Sequence, residues 1–543
     1  MKKILFMMMI TAILLSCQST KYTAPPVVQD VPQDQGQTYW WNNTVFYELF
    51  VRSFYDSDGD GIGDLQGIIE KLDYLNDGNP DTDTDLGITG IWLMPVCESP
   101  SYHGYDVTDY RKIEEDYGTN ADFIELMNQC HARGIKVIVD FVMNHTSSDN
   151  PWFVNSQDEN SSYRNWYIWS DNNPGTSGPW GQQVWHNSPS SSYYYGLFWG
   201  GMPDLNYREP AVKNEMFDIA KFWLNDMDVD GFRCDAVKYI FEDGTQLENT
   251  PETYSFWQDF HNLYKGENSD AMAVGEAWDN SNIIESYTGD KFDFCFEFNL
   301  ANSILQSVNS GISSNIEMKM EDVKNLYPYH QYGTFLTNHD QNRVMDDFIG
   351  NEDKAKLAAS IYLTLPGVPF LYYGEEIGMR GQKPDENIRR PMQWDNSSNA
   401  GFSSATPWNS VNSNFRTYNV ASESDDANSI LNQYKKIISL RNTHQALTIG
   451  TYQPLHSSKD NVFTFLRQYN DDIILVCANL NSTAQNAVNV TVSKTNIESG
   501  EYQVVDLENK SKKNINIGSN GNFALTINSI DKRKLEIYKL VKI

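Results

Sequence analysis

The sequence predicts an α/β fold: a (β/α)8 TIM barrel with a domain inserted after its third strand and an antiparallel β domain at its C-terminal end. Three observations carry that expectation. Eight short apolar, β-branched runs recur through the first two-thirds of the 543-residue chain, and near-continuous apolar runs are what parallel strands buried on both faces require. Segments of helical spacing separate many of these runs, and strands alternating with helices close into a barrel. Beyond residue 441 the texture changes to alternating runs broken by polar turns such as Asn470-Asp471-Asp472, the pattern of an antiparallel module.

In chain order, residues 1–16 read as a lipoprotein signal peptide. Lys2 and Lys3 precede a twelve-residue apolar run, 4–15, which is too short to span a bilayer. The run ends Leu14-Leu15-Ser16-Cys17, similar to a bacterial lipobox, so Cys17 is expected to be the lipidated first residue. Residues 17–37, rich in Pro, Gln, Thr and Asp, form a flexible tether. The expected location is the bacterial cell envelope, on its periplasmic or extracellular face, with the membrane met only through the lipid anchor.

The barrel is assigned to 38–145 and 211–446, with strands at 45–50, 88–95, 135–142, 231–236, 271–277, 292–298, 334–337 and 368–373. Helical patterns lie at 120–133 (closed by Gly134), 215–225, 352–365 and 430–441. The stretch 146–210 is Asn-, Ser-, Gly- and aromatic-rich with little period. It is too long for a simple connection and reads as an inserted domain. Residues 447–543 are expected to form a β-sandwich. Cys97, Cys130, Cys234, Cys295 and Cys477 show no disulfide-framework spacing and read as small core residues.

Charge narrows the partners. With 41 Lys and Arg against 72 Asp and Glu the net charge is −31, which repels phosphate backbones and argues against nucleic acid. The chain also carries 14 Trp, 31 Tyr and 26 Phe, enough to fill a core and still offer flat apolar faces to a ligand.

Chemistry in such a barrel sits at the C-terminal ends of strands. The third run ends in DFVMNH (140–145), the fourth reads GFRCDA (231–236), the fifth VGEAW (274–278) and the seventh FLTNHD (335–340). Carboxylates thus arrive from three strands as Asp235, Glu276 and Asp340. Side chains two apart in a strand share a face, so Arg233 and Asp235 point together into the mouth, where a guanidinium favours the charged carboxylate that a nucleophile needs. Glu276, flanked by Gly275 and Ala277 with Trp278 nearby, is expected to be partly desolvated and so to keep a proton for a leaving group. Two carboxyls tuned in opposite directions are the apparatus of glycoside hydrolysis, and a separation of about 5–5.5 Å would mean retention through a covalent intermediate.

The segments 140–145, 231–238, 275–278 and 338–340 closely resemble the four signature regions of the α-amylase family of retaining α-glucoside hydrolases. The resemblance runs from Tyr39 onward. It implies Asp235 as nucleophile, Glu276 as general acid/base and Asp340 as transition-state stabiliser. It further implies Arg233, His145 and His339 as groups binding the glucosyl unit at the scissile position, and Lys238 as a contact on the leaving-group side. His103 and Tyr105, in YHGYD (102–106), match the family's sugar-binding His and aromatic platform. Within the family the pointers are mixed. MPDLN (202–206) looks intermediate between the oligo-1,6-glucosidase and neopullulanase branches, Ala236 favours α-1,4 cleavage, and IRRPMQWD (388–395) resembles the oligoglucosidase side. Tyr239 replaces a His whose carbonyl helps many members hold calcium, which leaves a second calcium site near Asn144 open.

A separate acidic loop, DSDGDGIGD (56–64), offers Asp56, Asp58, Asp60 and Asp64 at positions 1, 3, 5 and 9 of an EF-hand-like pattern. The carbonyl of Ile62 stands at position 7. Position 12 is Gly67, so this is no true EF-hand. The expectation is structural Ca²⁺ (Mg²⁺ also suits hard oxygen ligands), away from the reacting groups. Together these readings describe a lipid-anchored α-amylase acting on internal α-1,4 bonds of an α-glucan oligo- or polysaccharide. An exo-acting α-glucosidase or neopullulanase-like enzyme is the nearest alternative. A non-catalytic glucan-binding lipoprotein is a rival of another class, opposed by the intact carboxylate set.

Overall fold

The computed structural model of the chain describes residues 36–189 and 191–543. The expected signal peptide, Cys17 and residues 17–35 of the tether lie outside the described residues. Eight parallel strands form the central sheet: β1 Phe46–Leu49, β2 Gly90–Leu93, β3 Lys136–Phe141, β4 Gly231–Cys234, β5 Met272–Gly275, β6 Phe294–Cys295, β7 Gly333–Thr334 and β8 Val368–Tyr372. Their hydrogen-bonded order is β6-β5-β4-β3-β2-β1-β8-β7. A parallel bridge between Phe296 and Gly333 joins the two ends and closes the barrel. β7 begins one residue before the expected 334–337 and shares only Thr334 with it, and β6 is shorter than its apolar run suggested. Glu297 caps a helix from Phe298 to Ser310 by accepting from the Asn299 and Leu300 N–H groups, so the chain leaves the sheet early.

The strands are buried on both faces, as the apolar runs required. Alternate residues (Phe46, Ile138, Met272, Val274, Phe294, Phe370) fill the barrel interior, where Phe46 and Phe370 stack at 4.6 Å. The residues between them, among them Tyr47, Leu49, Val137, Val139 and Ala273, pack outward against the helices. Period-two geometry then places Glu48, Asp140 and Arg233 one step above the apolar interior. Asp140 pairs directly with Arg233 in the β3–β4 register. Gly231 allows the close approach of β4 to β5. Its φ is +154°, and a Cβ there would lie 1.9 Å from the Met272 carbonyl.

Between β3 and β4 the chain forms a helix, Pro151–Ser156, and a small antiparallel sheet of Trp169–Ser170, Tyr193–Tyr195 and Trp185–Asn187. Bridges His145–Asp204 and Tyr167–Leu205 tie this unit to the end of β3. After the helix Ile430–Thr443 come a six-stranded and a three-stranded antiparallel sheet. The six-stranded sheet departs from the expected alternation. Val462–Tyr469 and Asp472–Asn479 are buried almost throughout, because Phe463, Phe465, Ile474 and Val476 join the barrel's outer core while Val462, Leu466, Leu475 and Cys477 face the second sheet. The outer strand Phe523–Ile530 keeps the clean in–out pattern of a sheet wet on one side.

Arg467 pins the two parts together. Its Nη1 donates to the Thr364 carbonyl at 2.8 Å, at the end of the helix Glu352–Thr364, and its Nη2 to Thr448 and Gly450. Arg441 holds the carbonyls of Leu363, Leu365 and Gly367 beside it. All five described cysteines are buried and unpaired. No helix among the described residues is long and apolar enough to cross a membrane.

Candidate active site

β4 ends at Cys234, and the next two residues set the site. Asp235 continues the inward phase of Arg233. Ala236 then takes a left-handed conformation (φ 51°, ψ 37°), which turns the chain sharply into the 3-10 turn Val237–Tyr239. A non-glycine residue there is strained. The turn aims the Ala236 N–H at Oε2 of Glu276, 3.3 Å away.

Arg233 is the centre of the site. Its side chain has no solvent exposure. Nη1 bonds Asp140 Oδ1 and Asp235 Oδ1, each at 2.8 Å, and Nη2 pairs with Glu276 Oε2 at 2.9 Å. Carboxylates from β3, β4 and β5 thus share one guanidinium. Burial opposes the charge on Arg233, but Asp140 and Glu276 more than restore it. Burial acts on the carboxyls as well. Desolvation lifts Glu276 to about 7, with Arg233 opposing and Asp235 and Asp340 reinforcing the rise. Desolvation lifts Asp140 to about 6, again against Arg233. Trp278 is not what shields Glu276 from water. Its ring is 49% exposed and stacks on Phe298 at 4.6 Å.

The opposite wall draws Glu48 from β1, Tyr105 from the loop after β2, His339 and Asp340 from the end of β7, and Arg389 from the loop after β8. His339 Nδ1 lies 2.5 Å from Glu48 Oε1, and Nε2 lies 2.6 Å from the Tyr105 hydroxyl and 3.3 Å from Asp340 Oδ2. Burial disfavours the imidazolium, yet Asp340 and Glu48 outweigh it and raise His339 to about 10, so both ring nitrogens donate at neutral pH. The Tyr105 hydroxyl then accepts from His339 and donates to Asp140 Oδ2 at 3.0 Å. Asp340 Oδ1 accepts from Arg389 Nη2 at 2.8 Å. Burial would raise this carboxyl, but His339, Arg389 and Arg233 hold it far below the ordinary carboxylate range.

The remaining predicted residues line the same mouth. His145, kept neutral by burial, lies with Nε2 3.1 Å from the Tyr105 carbonyl. His103 is also pushed down by burial, and its Nδ1 accepts the Tyr105 N–H at 3.1 Å, which leaves the proton on Nε2. Lys238 spends its ammonium on Glu248, Asp279 and the Trp278 carbonyl, at 2.9, 2.9 and 3.1 Å. Three residues were given no individual role from the sequence: Glu48, and Asp140 and Arg389, which lie within the segments 140–145 and 388–395 noted there. All three had a signal. Glu48 is a lone charge in an otherwise apolar strand, and Asp140 shares the inward phase of its strand with Ile138. Arg389 lies in the segment 388–395, whose approach to Asp340 only the tertiary fold reveals.

In the acidic loop, carboxylate oxygens of Asp56, Asp58 and Asp64 lie within 4.8 Å of one another. Asp60 is not part of that trio, and its Oδ1 accepts the Ile62 N–H. Asp64 caps the helix Leu65–Leu75 by accepting from the Gly67 N–H. A Cβ at Gly67 would lie 2.0 Å from the Tyr55 carbonyl, which is why no glutamate stands at that position. Three convergent carboxylates fit a hard cation.

The alpha-amylase catalytic domain family matches residues 48–450 of this chain. The chain belongs to the alpha-amylase family. It is 43% identical over 448 residues to alpha-amylase 3 of Dictyoglomus thermophilum, covering 81% of this chain and 85% of that one. To the oligo-1,6-glucosidase of Heyndrickxia coagulans it is 34% identical over 523 residues, covering 82% and 92%. Its structure matches that of the alpha-amylase from H. orenii with a TM-score of 0.80 at 40% identity, covering 93% of this chain and all of that one. It is thus an alpha-amylase-family glycoside hydrolase.

The Glu48–His339–Asp340 group gives a test by linkage. A histidine whose pKa rises on folding adds stability that is fully present below its unfolded value, about 6.5, and is lost as pH climbs through about 10. Urea midpoints should therefore fall between pH 6.5 and 10, and Glu48→Gln should make that fall smaller. An unchanged slope in the variant would show that Glu48 does not hold the imidazolium.

Proposed function

We propose that the chain hydrolyses internal α-1,4-glucosidic bonds of starch-like glucans with retention. Asp235 is the nucleophile, Glu276 the general acid/base and Asp340 the group that stabilises the oxocarbenium-like transition state. The observation that carries this reading is the single Arg233 guanidinium gripping both Asp235 and Glu276. Such sharing brings both carboxyls to one point of the cleft, and retention calls for a separation of about 5–5.5 Å between them. With Glu276 lifted by burial, a proton is available to the departing glycosidic oxygen. Asp235 then attacks the anomeric carbon from the other side, and water, deprotonated by Glu276, releases the sugar. Arg233, His145, His339, His103 and Tyr105 bind the glucosyl unit that is cleaved, and Lys238 orders the leaving-group side.

An exo-acting α-glucosidase is the second reading, favoured by Arg389, which comes from the loop that resembles the oligoglucosidase side and contacts Asp340. Products from soluble starch, pullulan and isomaltose separate the two. Early maltooligosaccharides from starch support the endo reading, and glucose alone overturns it. The lipid anchor at Cys17 and the envelope location belong to the same proposal. The mass of the mature N-terminus tests them, because an unacylated Cys17 would rule them out.

We assign the Asp56, Asp58, Asp64 loop to structural Ca²⁺, with Asp60 and the Ile62 carbonyl as further ligands. Calcium added after chelation should raise the unfolding temperature of the wild type, and Asp58→Asn should weaken that response. No response in the wild type would reject the site.

Two results test the roles. Asp235→Asn should lower turnover by at least about 10³-fold while glucan binding survives, and near-normal turnover would remove it from the nucleophile role. Because Glu276 acts in its protonated form, kcat/KM should decline as pH rises through about 7. A flat profile from pH 6 to 9 would contradict its part as the acid.

A further inference from the structure

Two guanidiniums outside the active site are as deeply buried as Arg233, yet neither pairs with a carboxylate among the described residues. Arg441, on the helix Ile430–Thr443, and Arg467, on the strand Val462–Tyr469, are both 0% exposed. Between them they donate to the carbonyls of Leu363, Thr364, Leu365, Gly367, Thr448 and Gly450. Carbonyl dipoles at a helix C-terminus offset part of a positive charge, but not two whole ones. Burial pushes Arg441 down to about 9, with Arg467 adding to the fall, and pushes Arg467 down to about 10. Only tyrosines oppose. Nε of each guanidinium is buried and has no hydrogen-bond partner among the described residues.

His330, close enough to feel both charges, is also unsatisfied. Its backbone is left-handed (φ 57°), it is buried, and its ring stacks on Tyr329 at 4.0 Å. Neither ring nitrogen has a hydrogen bond of good geometry among the described residues. Burial, then Arg467 and Arg441, push it well below the usual histidine range, and the Thr448 carbonyl alone opposes them. The ring is therefore neutral and offers one N–H. The hydroxyl of Tyr452, on the strand Thr451–Pro454 of the six-stranded sheet, is buried and likewise without a partner. Glu317 and Glu321, on the helix Ser314–Leu326, act on that hydroxyl without bonding it, and Arg467 acts in the opposite sense.

His330 and Tyr452 line one small cavity, walled further by Tyr329, Tyr332 and Pro366. Its free space is about 10 Å³, close to the roughly 10–15 Å³ that one water-sized body needs. A neutral molecule there would satisfy the donors but leave the charge unanswered. His330 and Tyr332 lead into β7, and Pro366 leads into β8. The cavity therefore sits at the N-terminal end of the barrel, away from the reacting carboxylates, where the C-terminal sheet docks.

We propose that this cavity binds one small monovalent anion, chloride by its size and charge, held by the His330 N–H and the Tyr452 hydroxyl in the field of Arg441 and Arg467. The anion supplies the counter-charge that the two guanidiniums lack and fastens the C-terminal sheets to the base of the barrel. It takes no part in the reaction at the other end.

The test uses the full chain with calcium present throughout. The unfolding temperature should be higher in sodium chloride than in sodium gluconate of equal ionic strength, by about 1–3 °C, and the rise should saturate. His330→Asn, which suits the left-handed backbone, should lose at least half of that difference. Crystals soaked in bromide should show an anomalous peak between His330 and Tyr452. Turnover of starch at neutral pH should be the same in the two salts. No bromide peak in this cavity would mean that it holds water only and would overturn the site. A chloride effect that survives His330→Asn undiminished would overturn it too, as would a chloride-dependent turnover with no shift in unfolding temperature, which would place the anion in the cleft.

Discussion

A guanidinium with no access to water needs compensating charge, and that need organises the middle of this protein. Arg233 finds it in Asp140, Asp235 and Glu276, one carboxylate from each of three neighbouring strands. A buried cation with one missing partner costs several kcal/mol, about 3–5, so the three carboxyls and the strand register that delivers them are mutually obligatory. The apolar layer beneath excludes water from the group. The left-handed turn at Ala236 spends backbone strain to release the chain immediately after Asp235 and to aim an N–H at Glu276. Packing, strain and charge here serve one arrangement.

The same low polarity that tightens the cluster separates its members. Glu276 is lifted by desolvation while Asp340, beside an imidazolium and Arg389, is driven the other way. Two carboxyls in one cleft thus differ because of their neighbours, not because of their chemistry. Glu48 decides much of this from beneath. It keeps His339 charged, and His339 in turn keeps Asp340 ionised and orders the Tyr105 hydroxyl. The acidic loop, though outside this cluster, is not isolated from the cleft. The Trp408 backbone N–H donates to the Gly61 carbonyl at 2.8 Å, and its ring stacks on Tyr102, next to His103, at 5.2 Å.

Much of the fold was legible because burial on both faces leaves an unmistakable apolar run, and β1 through β5 and β8 fall within theirs. β6 was overextended because an apolar segment leaving a strand looks like one continuing it, and only the Glu297 cap marks the departure; β7 starts one residue before its expected run and shares only Thr334 with it. The alternation expected in the C-terminal sheet failed for a related reason: Phe463 and Phe465 pack against the barrel, which one-sided patterning cannot reveal. In the site, residues at strand ends announced themselves by position. Glu48 lay hidden as one polar letter in an apolar word, and Arg389 depends on contacts between residues 49 positions apart. Trp278 was read as a shield for Glu276 from adjacency alone, whereas its ring turns toward Phe298.

The two-sided burial of the six-stranded sheet has a consequence for how this chain can be divided. Its inner face completes the same hydrophobic interior that surrounds the barrel, and Arg467 terminates a barrel helix from within that sheet. A polypeptide ending near residue 450 would expose that apolar face and leave the Thr364 carbonyl without Arg467. The barrel and the C-terminal sheets therefore share one core, so separating them costs the barrel part of its apolar packing.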